Sequence, residues 1–212
     1  MERWPEEIYE YITELTRFED LQLVAMEERA KQHSFPIIGP LIGPWLYFFA
    51  RLIKAHRIYE LGAGYGYSTF YFACALRDNG GGTVTHTVWD DELSQEAREW
   101  MQSAGLLRYC AFEVSESVLA LSGAPPGIDI IFMDIDKEGY PAALPVIEEK
   151  LRPGGLLLTD NVLLDGRVVD EDCSDRSCKA IKQFNQMLHD SARWEYIINP
   201  LRDGLGIARL VE

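Results

Sequence analysis

Short apolar runs alternate with segments of helical period through the middle of the chain. Ser68–Arg77 and Glu92–Ala104 have helical spacing, and in the second segment the apolar side chains share one face. The other runs are rich in β-branched residues or leucine, and they span residues 57–61, 83–89, 109–114, 128–133 and 156–159. Because these runs are apolar on both faces, they suit parallel strands covered by helices. The alternation predicts an α/β fold with a Rossmann-like, doubly wound sheet and helices on both faces.

The two ends of the chain depart from this alternation. Trp194–Ile198 and Gly206–Val211 are predicted strands, and the short connection between them leaves no room for a crossover helix. They should therefore form an antiparallel hairpin at the sheet edge, which brings the mostly parallel sheet to seven strands. Residues 5–33 are predicted to be helical, and Pro44–Ile53 is a strongly apolar helix. We expect a single domain over residues 1–212, in which residues 1–54 form an N-terminal helical cap.

The composition is that of an ordinary globular chain with an excess of acid. The 212 residues amount to 24.1 kDa, and 47% of them are hydrophobic, which suits one domain with a substantial core. The net charge of −14 argues against broad, non-specific contact with nucleic acid and suits a site that holds a cation. The chain shows no apolar stretch of membrane-spanning length and no secretion signal at its start, so we expect a cytoplasmic protein without membrane contact.

Four cysteines are present, and their surroundings differ. Cys74 and Cys110 lie in apolar segments and are expected in the core. Cys173 and Cys178 lie close together in a polar segment, without the further cysteine pair or histidines that zinc spacing requires. We expect both to be free thiols in a reducing compartment.

The strand predicted at residues 57–61 ends in a glycine-rich turn. Gly62, Gly64 and Gly66 occupy every second position, and a helix-forming segment follows. Such a turn lets a cofactor approach bare backbone and the unpaired N–H groups of the next helix. A dinucleotide fingerprint would need a glycine where Tyr67 stands, so the loop departs from that pattern. The alternative is a tight turn without a ligand.

Polar side chains end two neighbouring apolar runs. Asp134 follows Ile130–Met133, and Asp160 and Asn161 follow Leu156–Thr159. In open α/β sheets, ligands bind outside the carboxyl ends of the strands. Oxygen ligands without Cys or His indicate a hard divalent ion, Mg²⁺, Mn²⁺ or Ca²⁺. The alternative is that each Asp only caps the following helix.

Four segments together resemble a known family. They are Glu60–Ser68, Met133–Tyr140, Gly154–Gly166 and Asp203–Ile207, in that order along the chain. Over residues 35–211 the chain resembles the cation-dependent O-methyltransferases of the catechol and caffeoyl-CoA type. The resemblance implies the class I S-adenosylmethionine fold, with an antiparallel edge hairpin, and a tendency to form homodimers.

The resemblance also implies roles for individual residues. The cofactor's methionine end would be held by the loop and the residues beside it, namely Glu60, Gly62, Gly64, Gly66, Tyr67, Ser68 and Asp134. Asp134, Asp160 and Asn161 would ligate the metal, and Lys137 would be the general base. This chemistry is consistent with the residue types, because a bound cation stabilises a deprotonated hydroxyl and a nearby lysine can accept the proton. The alternative for Lys137 is a solvated residue at a helix entry.

The chain departs from the family at two positions. The family places a ribose-binding glutamate at the end of the second strand, where this chain has Val88. Asp90 lies two residues further on the same side of an extended strand, and we expect it to substitute. The alternative is that ribose binding is weak. Beside the adenine, Glu116 and Ser117 replace the family's turn, and Glu116 could instead be only a helix N-terminal acid.

The sequence therefore predicts an S-adenosylmethionine- and divalent-metal-dependent O-methyltransferase. Its substrate would be a small hydroxylated molecule, most simply an aromatic vicinal diol. A tRNA hydroxyuridine methyltransferase is the second interpretation, because Arg176, Lys179 and Lys182 share a face of the helix predicted at Asp175–His189. A cofactor-binding protein without catalysis is the third, because of Val88.

Overall fold

One seven-stranded sheet organises the protein. The computed structural model describes residues 5–16 and 18–211; residues 1–4, 17 and 212 of the predicted domain lie outside the described residues. The strand order is β3-β2-β1-β4-β5-β7-β6. The strands are β1 (Arg57–Leu61), β2 (Thr83–Val88), β3 (Cys110–Val114), β4 (Ile128–Met133), β5 (Leu151–Thr159), β6 (Trp194–Asn199) and β7 (Leu205–Leu210).

The first five strands pair in parallel, and the last two are antiparallel. β7 pairs with β5 and with β6, so the C-terminal hairpin lies at one edge of the sheet. The predicted fold class and edge hairpin are confirmed. The helices are α1 (Glu6–Thr16), α2 (Leu21–His33), α3 (Gly39–Leu52), α4 (Tyr67–Asp78), α5 (Asp91–Ser103), α6 (Ser117–Gly123), α7 (Tyr140–Lys150) and α8 (Arg176–Asp190).

Both faces of the sheet are buried, as the apolar runs predict. In β4, Ile130 and Phe132 join one hydrophobic cluster, whereas Ile131 and Met133 join the other. This alternation follows from the two-residue period of a strand. The first cluster packs against α2, α3 and α4, and the second packs against α7 and α8. The sheet therefore has a helical layer on each side.

Within residues 5–16 and 18–56, three helices precede β1. α2 is attached to the sheet domain by a bidentate contact from Arg29 to Glu96, with N–O distances of 2.7 and 2.6 Å. The Tyr65 hydroxyl also donates to the Met26 carbonyl at 2.8 Å. α3 begins earlier than predicted because Pro40 lies in its first turn, where the missing N–H costs nothing. These contacts bring the segment between α2 and α3 over the glycine-rich turn.

The expectation of two free thiols at Cys173 and Cys178 is wrong. The structure joins them in a disulfide, with a Cα–Cα distance of 6.2 Å. Cys178 begins the buried face of α8, and its partner lies in the preceding loop, so the helix brings the two sulfur atoms together. Cys74 and Cys110 are free; Cys74 is buried as predicted, whereas Cys110 is half-buried and packs against the first hydrophobic cluster.

Candidate functional site

A cavity of about 1240 Å³ opens at the carboxyl ends of the parallel strands. Its floor is the turn after β1 together with the residues that follow β4 and β5. One end lies beyond β2 and β3, and the other lies beside the hairpin turn. The loop between α2 and α3 contributes Phe35–Ile38 to the wall. This is the position at which open α/β sheets bind ligands.

The turn after β1 is held against its neighbours through backbone contacts. The Gly62 and Ala63 N–H groups both donate to the Thr87 carbonyl, at 3.2 and 3.0 Å. Gly62 has φ +86°, and a Cβ there would lie 2.3 Å from the Asp134 carbonyl oxygen. Gly66, with φ +93°, begins α4, so the first N–H groups of that helix face the cavity. The turn therefore exposes backbone, without side chains in the way, to a ligand in the cavity.

Tyr67 and Ser68 line the cavity at the start of α4, as do Gly62 and Gly64. The Tyr67 hydroxyl donates to Glu27 Oε1 at 2.9 Å, which links the turn to α2. The structure thus brings these four predicted cofactor residues to one wall. Their contact with a cofactor stays a prediction.

Glu60 lies beneath the turn and is fully buried. The Thr69 hydroxyl donates to its Oε2 at 2.6 Å and lies 3.0 Å from His86 Nδ1. Burial raises the pKa of Glu60 to about 7, against the opposing effect of the Ser68 and Thr69 hydroxyls. Burial likewise lowers the pKa of His86 to about 3, assisted by the charge of Arg98. Glu60 is outside the cavity lining and contacts α4 through Thr69, and its contact with the cofactor stays a prediction.

The two acids predicted at the nucleoside end have structural partners. Asp90 begins α5 and accepts from the Leu93 N–H at 3.1 Å. Glu116 begins α6 and accepts from two backbone N–H groups, at 3.0 and 2.7 Å. Glu116 and Ser117 line the cavity, whereas the lining includes Val88 and Trp89 but not Asp90. Ribose binding by Asp90 and adenine contact by Glu116 stay predictions.

Lys137 and the strand-end carboxylates meet at the other end of the cavity. Lys137 Nζ donates to Asp134 Oδ1 at 2.7 Å and to the Tyr140 hydroxyl at 3.0 Å. Tyr140, fully buried, donates in turn to the Asp160 carbonyl at 3.1 Å. Burial, with the negative charge of Asp134 next, raises the pKa of Tyr140, so this hydroxyl stays protonated. The side chain of Lys137 is therefore fixed beside Asp134, and it points into the cavity.

Asp160 is a buried carboxylate with an unpaired oxygen. The residue is 2% exposed, and Oδ1 has no hydrogen-bond partner among the described residues. Burial raises the pKa of Asp160 to about 7, and the charge of Asp134 adds to the effect. Arg202 and Lys137 oppose it, with Arg202 Nη1 3.4 Å from Oδ2. A buried carboxylate with an unpaired oxygen, next to the second carboxylate of Asp134, forms a site that a cation would stabilise.

Asn161 completes the donor set. It has φ +58°, and its Nδ2 donates to Asp203 Oδ2 at 3.1 Å, which leaves the amide oxygen as a candidate ligand. Asp134, Asp160 and Asn161 all line the same part of the cavity. Two carboxylates and one amide oxygen fit a hard divalent ion. The structure thus brings the predicted metal ligands together, and their binding of a metal stays a prediction.

A second convergence of ligand-type side chains lies outside the cavity. Cys173, Asp175 and Cys178 have their ligand atoms within 4.8 Å of one another. Metal binding by cysteine requires thiolates, and here the two sulfur atoms are joined in the disulfide. This group is therefore no metal site in its oxidised form.

Several cavity residues carry no motif. Phe35 lies beside Gly64, and its ring also contacts Tyr65. Tyr140 looks like a core aromatic in the sequence, yet its hydroxyl links Lys137 to Asp160. A tyrosine three residues after the lysine was the available signal, since that spacing stacks side chains on a helix. Trp89 and Ser177 were missed because nothing in their neighbours marks them.

The basic residues Arg176, Lys179 and Lys182 of α8 are outside the cavity lining. Arg176 and Lys179 are exposed, and the loop before the helix is acidic at 170–172 and 175. Lys182 donates to the Asp170 carbonyl. Their contact with tRNA stays a prediction. Within the described part of the chain, no helix is long and apolar enough to cross a membrane.

Comparisons with known proteins agree with the fold and show the family. The O-methyltransferase family model matches residues 14–211. A catechol O-methyltransferase from Niastella koreensis is 32% identical over 190 residues, which is 86% of this chain and 85% of that protein. A crystal structure from Klebsiella pneumoniae, 27% identical, matches with a TM-score of 0.87 over 97% of each chain.

The fold is also that of a structure solved with a cofactor product. The O-methyltransferase from Bacillus cereus, in complex with S-adenosylhomocysteine, has a TM-score of 0.87 at 23% identity and covers 96% of this chain and 97% of its own. Since the family model spans nearly the whole chain, the protein belongs to the O-methyltransferase family and is an S-adenosylmethionine-dependent O-methyltransferase.

Proposed function

We propose that the protein methylates a hydroxyl of a small aromatic vicinal diol and that the reaction depends on a divalent metal, with Mg²⁺ the expected ion. The observation that carries this proposal is the oxygen-rich end of the cavity. There, the unpaired Oδ1 of buried Asp160 lies among Asp134, Asn161 and Lys137. The Niastella koreensis relative, a catechol O-methyltransferase, supports the same substrate class.

In this proposal, each of the predicted residues has a task. Asp134, Asp160 and Asn161 would hold the metal, and the turn from Gly62 to Ser68 would hold the methionine end of the cofactor. When bound, S-adenosylmethionine supplies the methyl group and the metal favours the deprotonated form of the substrate hydroxyl.

Lys137 accepts the hydroxyl proton at Nζ. To do so, the lysine must be an uncharged amine, whose two N–H groups can donate to Asp134 Oδ1 at 2.7 Å and to the Tyr140 hydroxyl while its lone pair takes the substrate proton. Tyr140 keeps Nζ in place through the 3.0 Å contact, and buried Asp160 fixes Tyr140 through its carbonyl. Phe35 and Ile37 help to enclose the cavity, which limits the water that competes with the substrate. The chain thus contributes mainly position and proton acceptance.

Metal dependence can be tested with catechol and tritiated S-adenosylmethionine. We expect methyl transfer to stop with a chelator and to return with Mg²⁺. Asp160→Asn should weaken Mn²⁺ binding, measured by calorimetry, and lower methyl transfer by about 10-fold or more. Asp91→Asn, an exposed acid in the first turn of α5, is the matched control and should change neither. Methyl transfer that is indifferent to chelator would contradict the metal assignment.

We also propose that two copies of the chain associate. α1 has no buried residues, yet Ile8, Tyr11 and Leu15 recur on it at helical spacing and are 39%, 60% and 68% exposed. Such a stripe is typical of a helix that packs against another surface. Sedimentation velocity should give about twice the monomer mass for the native chain. A smaller mass for Tyr11→Glu would place α1 in the interface, whereas a monomeric native chain would refute the proposal.

A further inference from the structure

The end of the cavity beyond β2 and β3 must receive the adenosine part of the cofactor. The hydroxyl chemistry lies at the opposite end, with Asp134 and Asp160, and the glycine-rich turn lies between them. Since the transferred methyl group must reach the substrate hydroxyl, the nucleoside extends away from it. The wall it would contact includes Val88, Trp89 and Ser117.

The carboxylates near this wall are already engaged in helix capping. Asp90 Oδ1 accepts from the Leu93 N–H, and Asp90 is outside the cavity lining. Among the described residues that line this end, Glu116 is the one carboxylate, and its two oxygens accept from Val118 and Leu119. In dinucleotide-binding α/β folds, an acid after the second strand accepts from the ribose hydroxyl. Here the last residue of β2 is Val88, which has no acceptor in its side chain.

Trp89 offers a different kind of contact. Val88 is only 4% exposed, so its isopropyl group forms a fixed apolar surface at the end of β2. The next residue, Trp89, lines the cavity and is 81% exposed, which is unusual for so large an apolar side chain. An indole has a broad face that can stack on a base, and base–aromatic stacking needs no hydrogen-bond partner. A ligand that covers this ring would remove a large apolar area from water.

We propose that the nucleoside of S-adenosylmethionine is bound by apolar contact with Val88 and Trp89, without a carboxylate that reads the ribose hydroxyls. Trp89 then stacks on the base and supplies affinity, and the 2′-hydroxyl contributes little to it. The cofactor site therefore accepts a cofactor that lacks this hydroxyl.

Calorimetric titration of the native protein tests the proposal without methyl transfer. The probes are S-adenosylhomocysteine and its 2′-deoxy analogue. We expect dissociation constants within threefold of each other. A tenfold or greater preference for S-adenosylhomocysteine would overturn the proposal, because it would require a group that reads the ribose.

Variants locate the contact. Trp89→Ala should weaken S-adenosylhomocysteine binding tenfold or more. Trp89→Phe keeps an aromatic ring, so it should bind more tightly than Trp89→Ala. It should also remove the change in tryptophan emission that the ligand is expected to cause in the native protein. Phe48→Ala, at a ring that is 53% exposed on α3, is the matched control and should leave binding unchanged. Val88→Glu should create a tenfold preference for the 2′-hydroxyl; a folded Val88→Glu protein without it would overturn the placement of Val88.

Asp90→Asn distinguishes apolar binding of the nucleoside from ribose binding by Asp90, because Asn preserves the helix cap and removes the charge. A tenfold loss of S-adenosylhomocysteine affinity in Asp90→Asn would assign the ribose to Asp90 and overturn the proposal. Affinity within twofold of the native protein supports it. The native-protein comparison stands even if Val88→Glu fails to fold.

Discussion

Replacement of Glu60 by glutamine should stabilise the protein at alkaline pH and much less at acidic pH. The carboxylate is fully buried, and burial raises its pKa from 4.5 to about 7. Between these two values the unfolded chain releases the proton while the folded chain retains it. The folded state therefore loses stability as the pH rises through this window, and above pH 7 the loss is constant. The difference between the two pKa values corresponds to about 3 kcal/mol.

A glutamine side chain cannot ionise, so the stability of the variant does not fall as the pH rises through this window. The free energy of unfolding of Glu60→Gln, relative to the native protein, should rise by about 2 to 3 kcal/mol between pH 5 and pH 8.5. Differences between two proteins at each pH cancel the other titrating groups, and they also cancel any fixed cost of the new amide beside Thr69. Urea unfolding followed by circular dichroism supplies the four free energies, provided that each transition is two-state.

The matched control is Glu99→Gln, at an exposed carboxylate on α5 that accepts from Gln95 at 3.1 Å. Its effect should stay within about 0.5 kcal/mol at both pH values. A Glu60→Gln effect that is equal at pH 5 and pH 8.5 would refute the reasoning. It would mean that Glu60 exchanges its proton like a solvated acid, so the buried contact with Thr69 would not describe the protein in solution.

Three further predictions concern other parts of the molecule. Lys137→Met should lower kcat for catechol by about 10²- to 10⁴-fold in steady-state kinetics while S-adenosylhomocysteine affinity stays unchanged; a fall in affinity alone would contradict proton acceptance. Gly62→Ala should cost about 2 kcal/mol or more in urea unfolding, because its Cβ would lie 2.3 Å from the Asp134 carbonyl; unchanged stability would contradict that approach. Reduction should raise the thiols counted in denaturant from two to four and lower stability by about 2 kcal/mol; four thiols before reduction would exclude the Cys173–Cys178 disulfide.

The strands could be predicted from the sequence where packing and propensity agree. Arg57–Leu61 and Ile128–Met133 have the predicted bounds, because both faces of these strands are covered and glycines or polar residues end them. β5 begins five residues before the predicted Leu156, at Leu151. Its Pro153-Gly154-Gly155 segment has the composition of a turn. The pairing of Leu151 with Ile128, across a register shift, extends the strand through that segment.

The sequence predicted the position of site residues that directly follow a strand, but not of residues that reach the site from a distant loop. Asp134 and Asp160 follow buried strands, so their neighbourhood could be inferred from the strand order. Arg202 contacts Asp160 from the hairpin turn, where it has φ +58°, and no local pattern marks that approach. The disulfide was missed for a related reason. A short polar spacing says nothing of whether a helix start turns Cys178 toward Cys173.

The two ends of the cavity differ in how closely their chemistry is tied to folding. At the end that holds Asp134 and Asp160, the Asp134 N–H donates to the Leu61 carbonyl and the Asp160 N–H donates to the Met133 carbonyl. The sheet itself therefore fixes the backbone of both acids. At the end beyond β2 and β3, Asp90 and Glu116 cap the helices that they begin. A ribose-binding acid at position 88 would cap no helix, so the fold would not depend on it. The sheet can therefore form with valine at this position, because an apolar residue at a buried strand end costs the fold nothing. On the proposal made above, a departure at position 88 would therefore alter what the site recognises, while the framework that places Asp134, Lys137 and Asp160 would stay intact.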